Sequence, residues 1–83
     1  MTKSEMKARI RKALEALGNI KDELEDMKSE AECTYDEIEP YEGRNDLTEA
    51  QEERQEWFES VAETLGDLYD EIENRQCELE ELL

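Results

Sequence analysis

FESVAETLGDLYDEI, residues 58–72, places apolar side chains at alternating steps of three and four residues. The series runs through Phe58, Val61, Leu65, Leu68 and Ile72, and it continues to Leu79 and Leu82 with one interruption at Arg75. This spacing sets the apolar side chains on one stripe of an α-helix, at the a and d positions of a heptad repeat. Thr48 and Gln51 have the spacing of a capping box. The pattern predicts a helix over about residues 49–82.

A second series with the same spacing precedes this helix. Its a positions are Ile10, Leu17, Leu24, Ala31 and Ile38, and its d positions are Met6, Ala13, Ile20, Met27 and Thr34. Thr2 and Glu5 have the spacing of a capping box, and Pro40 biases Glu39 away from helical geometry. The sequence therefore predicts a first helix over about residues 4–39.

The segment between the helices, residues 40–48, contains Pro, Gly, Asn and Asp, which set turn dihedrals. A connection this short favours antiparallel neighbours, so we predict an all-α fold, a single-domain αα-hairpin over residues 1–83. Two helices cannot enclose both apolar stripes, and we expect two hairpins to pair into a four-helix bundle, or one hairpin to dock on another protein. The residues predicted to form this core or dimer seam are Ile10, Leu14, Leu17, Ile20, Leu24, Met27, Tyr35, Ile38, Trp57, Phe58, Val61, Leu65, Leu68, Ile72 and Leu79.

Acidic residues dominate the surface pattern. The chain has 26 Asp and Glu among 83 residues and a net charge of −16, yet residues 1–12 carry five basic side chains and one acid. Nucleic acid and anionic membranes should be repelled, which leaves basic proteins as the favoured partners. The chain has no apolar run of membrane-spanning length and no secretory signal at its start, so we expect a cytoplasmic location.

No set of residues indicates catalysis or a cofactor. Histidine is absent, the serines have no base near them in sequence, and carboxylate pairs four residues apart are typical of any acidic helix. We therefore predict a protein that is not an enzyme and that holds no metal or cofactor. In a hairpin folded about residue 43, Cys33 and Cys77 are separated by roughly 35 Å of helix, which predicts two free thiols.

Three features leave two interpretations each. Gly18 and Gly66 each lie about 25 residues from the turn, so they are either neighbours at a close helix approach or tolerated surface glycines. Arg75 is either a polar residue that fixes register or a bundle-end side chain with its stem buried. The basic residues of the first segment either neutralise the acidic end of the second helix or touch a nucleic acid bound by the partner.

The charge density suggests one mode of action. A DNA duplex carries one charge per ~1.7 Å, so roughly 50 Å of duplex holds about 30 charges. Two copies of this chain carry −32 along helices of about 50 Å. This match favours a nucleic-acid mimic, while a plain solvated exterior is the alternative. The partner-binding residues that we predict, because Arg54 alone relieves their charge, are Glu52, Glu53, Glu56, Glu59, Glu63, Asp67 and Asp70.

Three stretches resemble a known kind of protein: LEALGNIKDEL at residues 14–24, YDEIEP at 35–40 and LGDLYDEI at 65–72. They are similar to small acidic helical-hairpin proteins of phages and prophages of Gram-positive bacteria. That class includes anti-CRISPR and anti-restriction inhibitors, so the resemblance implies inhibition of a host defence protein by direct binding, in the host cytoplasm. Together with the charge density, it leads us to expect a nucleic-acid-binding target that the chain would block as a DNA mimic. It transfers no binding residue, since no defining motif is matched.

Two other functions fit the same sequence. A structural or adaptor coiled coil would bind a partner helix through its apolar stripe. Secreted hairpins of the WXG type are a minor alternative, because Tyr41-Glu42-Gly43 and the pair Tyr69 and Glu73 loosely resemble their motifs. In this chain Tyr replaces the Trp of the turn motif, and the second motif lies inside the second helix.

Overall fold

The computed structural model describes residues 1–83 and contains two helices, α1 (Lys3–Glu37) and α2 (Glu49–Glu80). They pack against each other as an antiparallel αα-hairpin, which confirms the predicted fold class. The rod measures 68 × 16 × 14 Å between Cα atoms. Neither helix combines the length and apolar character needed to cross a membrane.

The first helix begins at its predicted cap and ends two residues early. Thr2 Oγ1 accepts a hydrogen bond from the Glu5 N–H at 3.1 Å. Ile38 is already extended, with φ −75° and ψ 110°. Pro40 has no N–H to donate to the Asp36 carbonyl, so the last turn of α1 lacks this hydrogen bond. The helix therefore ends before the proline.

The start of α2 is held by a complete capping box. The Gln51 N–H donates to Thr48 Oγ1 at 3.2 Å, and the Thr48 N–H donates to Gln51 Oε1 at 3.0 Å. Gln51 Nε2 also donates to the Glu39 carbonyl at 2.8 Å, which ties the turn to α2. Within the turn, Gly43 has φ +83°, a left-handed conformation that favours glycine.

The contact between the helices is rotated from the predicted a and d positions to the a and e positions. Leu24, Ala31 and Ala62 are the buried residues, and the a positions beside them are half-buried. Half-buried e positions complete the contact: Leu14, Lys21, Lys28, Tyr35, Tyr69 and Gln76. Ala62 is small and Lys21 has a flexible apolar stem, so both fit between closely packed helices. Most d positions turn outward instead, while Thr34 and Val61 are half-buried.

Contacts across the hairpin fix its register. Gln76 Nε2 donates to the Leu14 carbonyl at 3.3 Å, and Lys7 Nζ donates to the Leu83 carbonyl at 3.1 Å. Both pairs place the fold axis at residue 45 rather than at the predicted residue 43. The contact of Lys7 also places the basic start of α1 beside the last residue of the chain, although none of its basic side chains forms an ion pair with Glu78, Glu80 or Glu81. Neutralisation of that acidic end therefore stays a prediction.

This register corrects the glycine hypothesis. Gly18 faces Gln76, and Gly66 faces Lys28, so the two glycines are not neighbours. Cys33 and Cys77 are free and exposed.

Arg75 fits neither of its two interpretations within the hairpin. Its side chain is exposed, and its Nη1 lies 2.8 Å from Glu78 Oε2. The hydrogen bond with Glu78 raises the pKa of Arg75. The guanidinium is therefore held by a local ion pair, with no buried stem.

Candidate functional site

Two faces of different chemistry run along opposite sides of the hairpin. Because the helices meet through their a and e positions, the b and f positions project to one side and the d and g positions to the other. Acidic side chains occupy the first side, and apolar side chains occupy much of the second. A single rod therefore presents an electrostatic surface and a hydrophobic surface back to back.

We call the first surface the acidic groove. It is an open depression of about 840 Å³ between the helices, toward their turn-proximal halves. Its carboxylates come from both helices and are Glu32, Asp36, Glu59, Glu63, Asp67 and Asp70. Tyr35, Phe58, Ala62 and Gly66 line it as well, and Lys28 is its one basic residue.

The lysine in the groove, Lys28, packs its side chain against α2 at Gly66. Lys28 Nζ is 3.8 Å from Glu32 Oε1, and its stem passes over the backbone of Gly66. This arrangement leaves the remaining carboxylates of the groove without an ion-pair partner in the chain. The groove thus carries one cation against six acids, and its free carboxylates can accept hydrogen bonds from Lys or Arg of another molecule.

A second lysine, Lys21, packs between the helices on the side of the groove nearer the chain ends. Lys21 Nζ lies 4.9 Å from the centre of the Tyr69 ring and 3.9 Å from Glu73 Oε1, and its side chain is only 16% exposed. The ammonium therefore stacks on the ring while its stem fills the space between the helices. Tyr69, one of the residues in the WXG-type comparison, packs in the hairpin interface.

The structure separates the predicted partner-binding residues into two groups. Glu59, Glu63, Asp67 and Asp70 line the acidic groove. Glu52, Glu53 and Glu56 are exposed on the first turns of α2 and do not line it.

Sequence reasoning missed the contribution of α1 to this site. Glu32 and Asp36 stand four residues apart on α1 and face the acids of α2 across the groove. Their i,i+4 spacing was visible in the sequence, but every acidic helix has such pairs. The signal that marks this pair is its position beside Lys28 and Tyr35, the e-position residues that lie in the helix contact.

We call the second surface the apolar face. Its large exposed side chains have accessibilities between 42% and 63%, and they are Met6, Ile20 and Met27 on α1 with Trp57, Leu68 and Leu82 on α2. Met27, Thr34, Trp57 and Val61 line one shallow groove of about 220 Å³, which shows that the two helices contribute to the same side. Seven-residue steps place Ile20 in line with Met27, and Leu68 in line with Val61.

One aromatic pair lies at this face. The rings of Trp57 and Phe58 meet edge to face, with centroids 5.0 Å apart. The guanidinium of Arg54 lies over the Phe58 ring, 5.5 Å from its centroid. Phe58 points into the hairpin while Trp57 is 61% exposed. An indole held in place yet left in water is typical of a residue that anchors a protein contact.

No three His, Cys, Asp or Glu side chains converge closely enough to hold a metal ion. The acids of the groove are spread along two helices, so they form an extended charged surface. The expectation that the chain is not an enzyme stays a prediction.

No protein-family model matches this chain, and no curated protein or solved structure is significantly similar to it. The resemblance to phage proteins therefore stays a prediction, and the chemistry of the two faces carries the functional argument.

Proposed function

We propose that the protein binds a basic, nucleic-acid-binding surface of another protein through its acidic groove and thereby competes with nucleic acid. The observation that carries this proposal is the groove itself, in which six carboxylates from two helices surround one lysine. Charges arranged on both walls of a depression reach a protruding Lys or Arg from two sides. A single acidic helix would reach it from one side only.

The dimensions support a competitor of nucleic acid. One chain carries −16 along a 68 Å rod. Two chains side by side would carry one charge per about 2 Å, close to the ~1.7 Å of duplex DNA. A groove that fits the phosphate backbone would meet a similar linear charge in this rod.

The resemblance to phage inhibitors supplies the biological setting of the proposal. A basic channel that binds DNA or guide RNA is common to the nucleases that defend bacteria against phages. Occupying such a channel requires no chemistry from the inhibitor, only shape and charge. We therefore propose a host defence protein of this kind as the target.

The test is a competition experiment. The protein is immobilised and exposed to a bacterial lysate at low salt, and each captured protein is then purified and assayed for binding to a 20-base-pair duplex. The proposal expects a captured nucleic-acid-binding protein that duplex DNA displaces and that roughly tenfold higher salt releases.

Matched variants localise the contact. Glu63→Lys with Asp70→Lys reverses two charges inside the groove. Asp26→Lys with Glu81→Lys makes the same change in net charge at exposed positions outside it. The groove pair should lose the captured protein and the outside pair should retain it. Equal loss from both pairs would mean that net charge alone drives binding, and the groove would then not be the site.

The apolar face favours a second candidate function. As an adaptor, the hairpin would bind an amphipathic helix of a partner along Ile20, Met27 and Trp57, as helix-in-groove complexes do. Such binding should survive high salt, because apolar contacts are not screened. A captured protein that resists salt and is lost on Trp57→Ala, with the groove pair unaffected, would favour this function.

A further inference from the structure

The hairpin exposes more surface than a compact protein of the same mass would. Its accessible area is 6610 Å², whereas a compact monomer of 9.8 kDa exposes about 5,200 Å². The excess of about 1,400 Å² on one chain is larger than the roughly 800 Å² that each partner buries in a standard protein interface. Only Leu24, Ala31 and Ala62 are buried, so the hairpin by itself encloses little of its apolar surface.

The apolar face has the size that such a contact needs. The rod is 16 Å wide, and its paired helices extend for about 50 Å. One face therefore offers on the order of 800 Å², which is what each partner contributes to a stable interface. The large apolar side chains recur from Met6 near one end to Trp57 near the other, so the contact would extend along the rod.

We propose that this face is covered by a second copy of the same chain, lying antiparallel, in a four-helix bundle. A two-fold axis across the rod then sets α1 on α1 and α2 on α2, in a self-complementary interface. Both acidic grooves remain on the outside. This proposal does not depend on the function proposed for the groove.

The charges at the two ends select the antiparallel arrangement. The turn end, residues 36–56, has nine acids and two arginines, a net charge of −7. The open end, residues 1–12 with 78–83, has five basic residues and four acids, a net charge of +1. A parallel dimer would set −7 against −7, whereas the antiparallel dimer sets each end of −7 against an end of +1 and so avoids that repulsion.

One charged side chain at the rim of the face has acidic counterparts in this arrangement. Arg9 occupies a g position, next to the d positions of the apolar face, and Glu30 and Glu37 occupy the g positions three and four heptads later. Arg9 and Glu30 are separated by 21 residues, roughly 30 Å along α1, so they do not meet within one chain. With α1 antiparallel on α1, each Arg9 comes beside the acids of the other copy.

Mass and orientation are measured first. Light scattering should give twice 9.8 kDa, at low and at high salt. For orientation, Asp46→Cys in a Cys33→Ser, Cys77→Ser background carries a spin label in the turn, where Asp46 is exposed. The antiparallel dimer predicts a label-to-label distance beyond about 50 Å, and a parallel one a distance below about 30 Å.

A charge exchange provides an independent test. Arg9→Glu should weaken the dimer roughly fivefold, as expected for two symmetry-related exposed ion pairs. Adding Glu30→Arg and Glu37→Arg to it should restore the dimer. The matched control is Arg11→Glu, the same change in charge at a b position on the acidic side, away from the apolar face, which should weaken the dimer clearly less than Arg9→Glu does.

The outcomes separate the alternatives. A monomer at 100 µM, a short turn-to-turn distance, or no rescue by the charge exchange would each overturn the antiparallel dimer. A monomer whose Ile20 and Trp57 are needed to bind another protein's helix would assign the apolar face to that partner instead. If the protein forms the dimer but captures no protein that duplex DNA displaces, only the groove proposal is contradicted.

Discussion

Lys28 lies across Gly66, with its Nζ 3.4 Å and its Cε 3.5 Å from the point where a Cβ of residue 66 would stand. The glycine is therefore not required by a close approach of the two helix backbones. It adjoins the flexible end of a lysine, which can move by a few tenths of an ångström. Because residue 66 has no side chain, the acidic groove is deeper at that position.

Replacing either helical glycine by alanine should stabilise the hairpin. A Cβ at Gly18 would have only Gln76 Nε2 nearby, at 3.9 Å, and Gly66 has the contact just described. Both changes remove the backbone freedom of a mid-helix glycine, and we expect each to add about 0.5–1 kcal/mol to the free energy of unfolding. Urea unfolding followed by circular dichroism at fixed concentration measures this. A loss of stability in Gly66→Ala would show that the helices approach more closely there.

Lys21 should contribute mainly through its stem. The side chain packs between the helices and over Tyr69, while its ion pair is with Glu73, which is 54% exposed. Lys21→Met keeps the packing and should change stability by less than about 0.5 kcal/mol, whereas Lys21→Ala should lose roughly 1 kcal/mol or more. Glu73→Gln is the control for the ion pair. Equal losses in Lys21→Met and Lys21→Ala would mean that the charge matters more than the packing.

Leu24 and Ile20 should respond differently to truncation, although both belong to the apolar pattern. Leu24 is buried between the helices and Ile20 is 45% exposed. Leu24→Ala should lower the free energy of unfolding by at least about 2 kcal/mol. Ile20→Ser should leave helix content unchanged while shifting the mass toward the monomer, as the proposed dimer requires. Circular dichroism and light scattering on the same samples distinguish the two effects. Loss of helix in Ile20→Ser would place that residue in the hairpin core.

Salt should stabilise this protein against heat. With a net charge of −16, repulsion between carboxylates opposes the folded state. Apart from Lys21, the side chains in the intramolecular ion pairs that salt would weaken are at least 44% exposed. Raising NaCl from 0.05 to 0.5 M should raise the unfolding midpoint by roughly 5 °C.

A neutralised variant checks the origin of the salt effect. Its changes are Glu59→Gln, Glu63→Gln, Asp67→Asn and Asp70→Asn. Four charges fewer in the groove should raise the midpoint at low salt and reduce its further rise with NaCl. A midpoint that falls on neutralisation would mean that these carboxylates hold the hairpin through contacts instead of repelling each other.

Local signals in the sequence predicted the elements well and their mutual rotation poorly. The capping box of Thr48 and Gln51 forms as expected, because the bonds involved lie within four residues. The rotation of the helix contact depends on pairs far apart in sequence, such as Leu14 with Gln76. A heptad pattern shows that Ile20 and Leu24 share a stripe, but it does not show which of them faces the other helix.

The unpredicted rotation of the helices also explains why only part of the acidic groove was predicted. The acids of α2 were predicted from their density along one helix, and four of them do line the groove. Glu32 and Asp36 complete it from α1, and only the rotation of the hairpin brings them to that side. Lys28 likewise reads as one more charged residue until the structure places it over Gly66.

The back-to-back placement of the two faces has a consequence for stoichiometry. A groove on one side of the rod stays accessible when the other side is covered, so the two contacts do not compete for the same surface. In the proposed dimer the two grooves point in opposite directions, and each particle becomes bivalent. A target with two basic sites, or two target molecules, could then be held by one particle with an avidity that a single hairpin lacks.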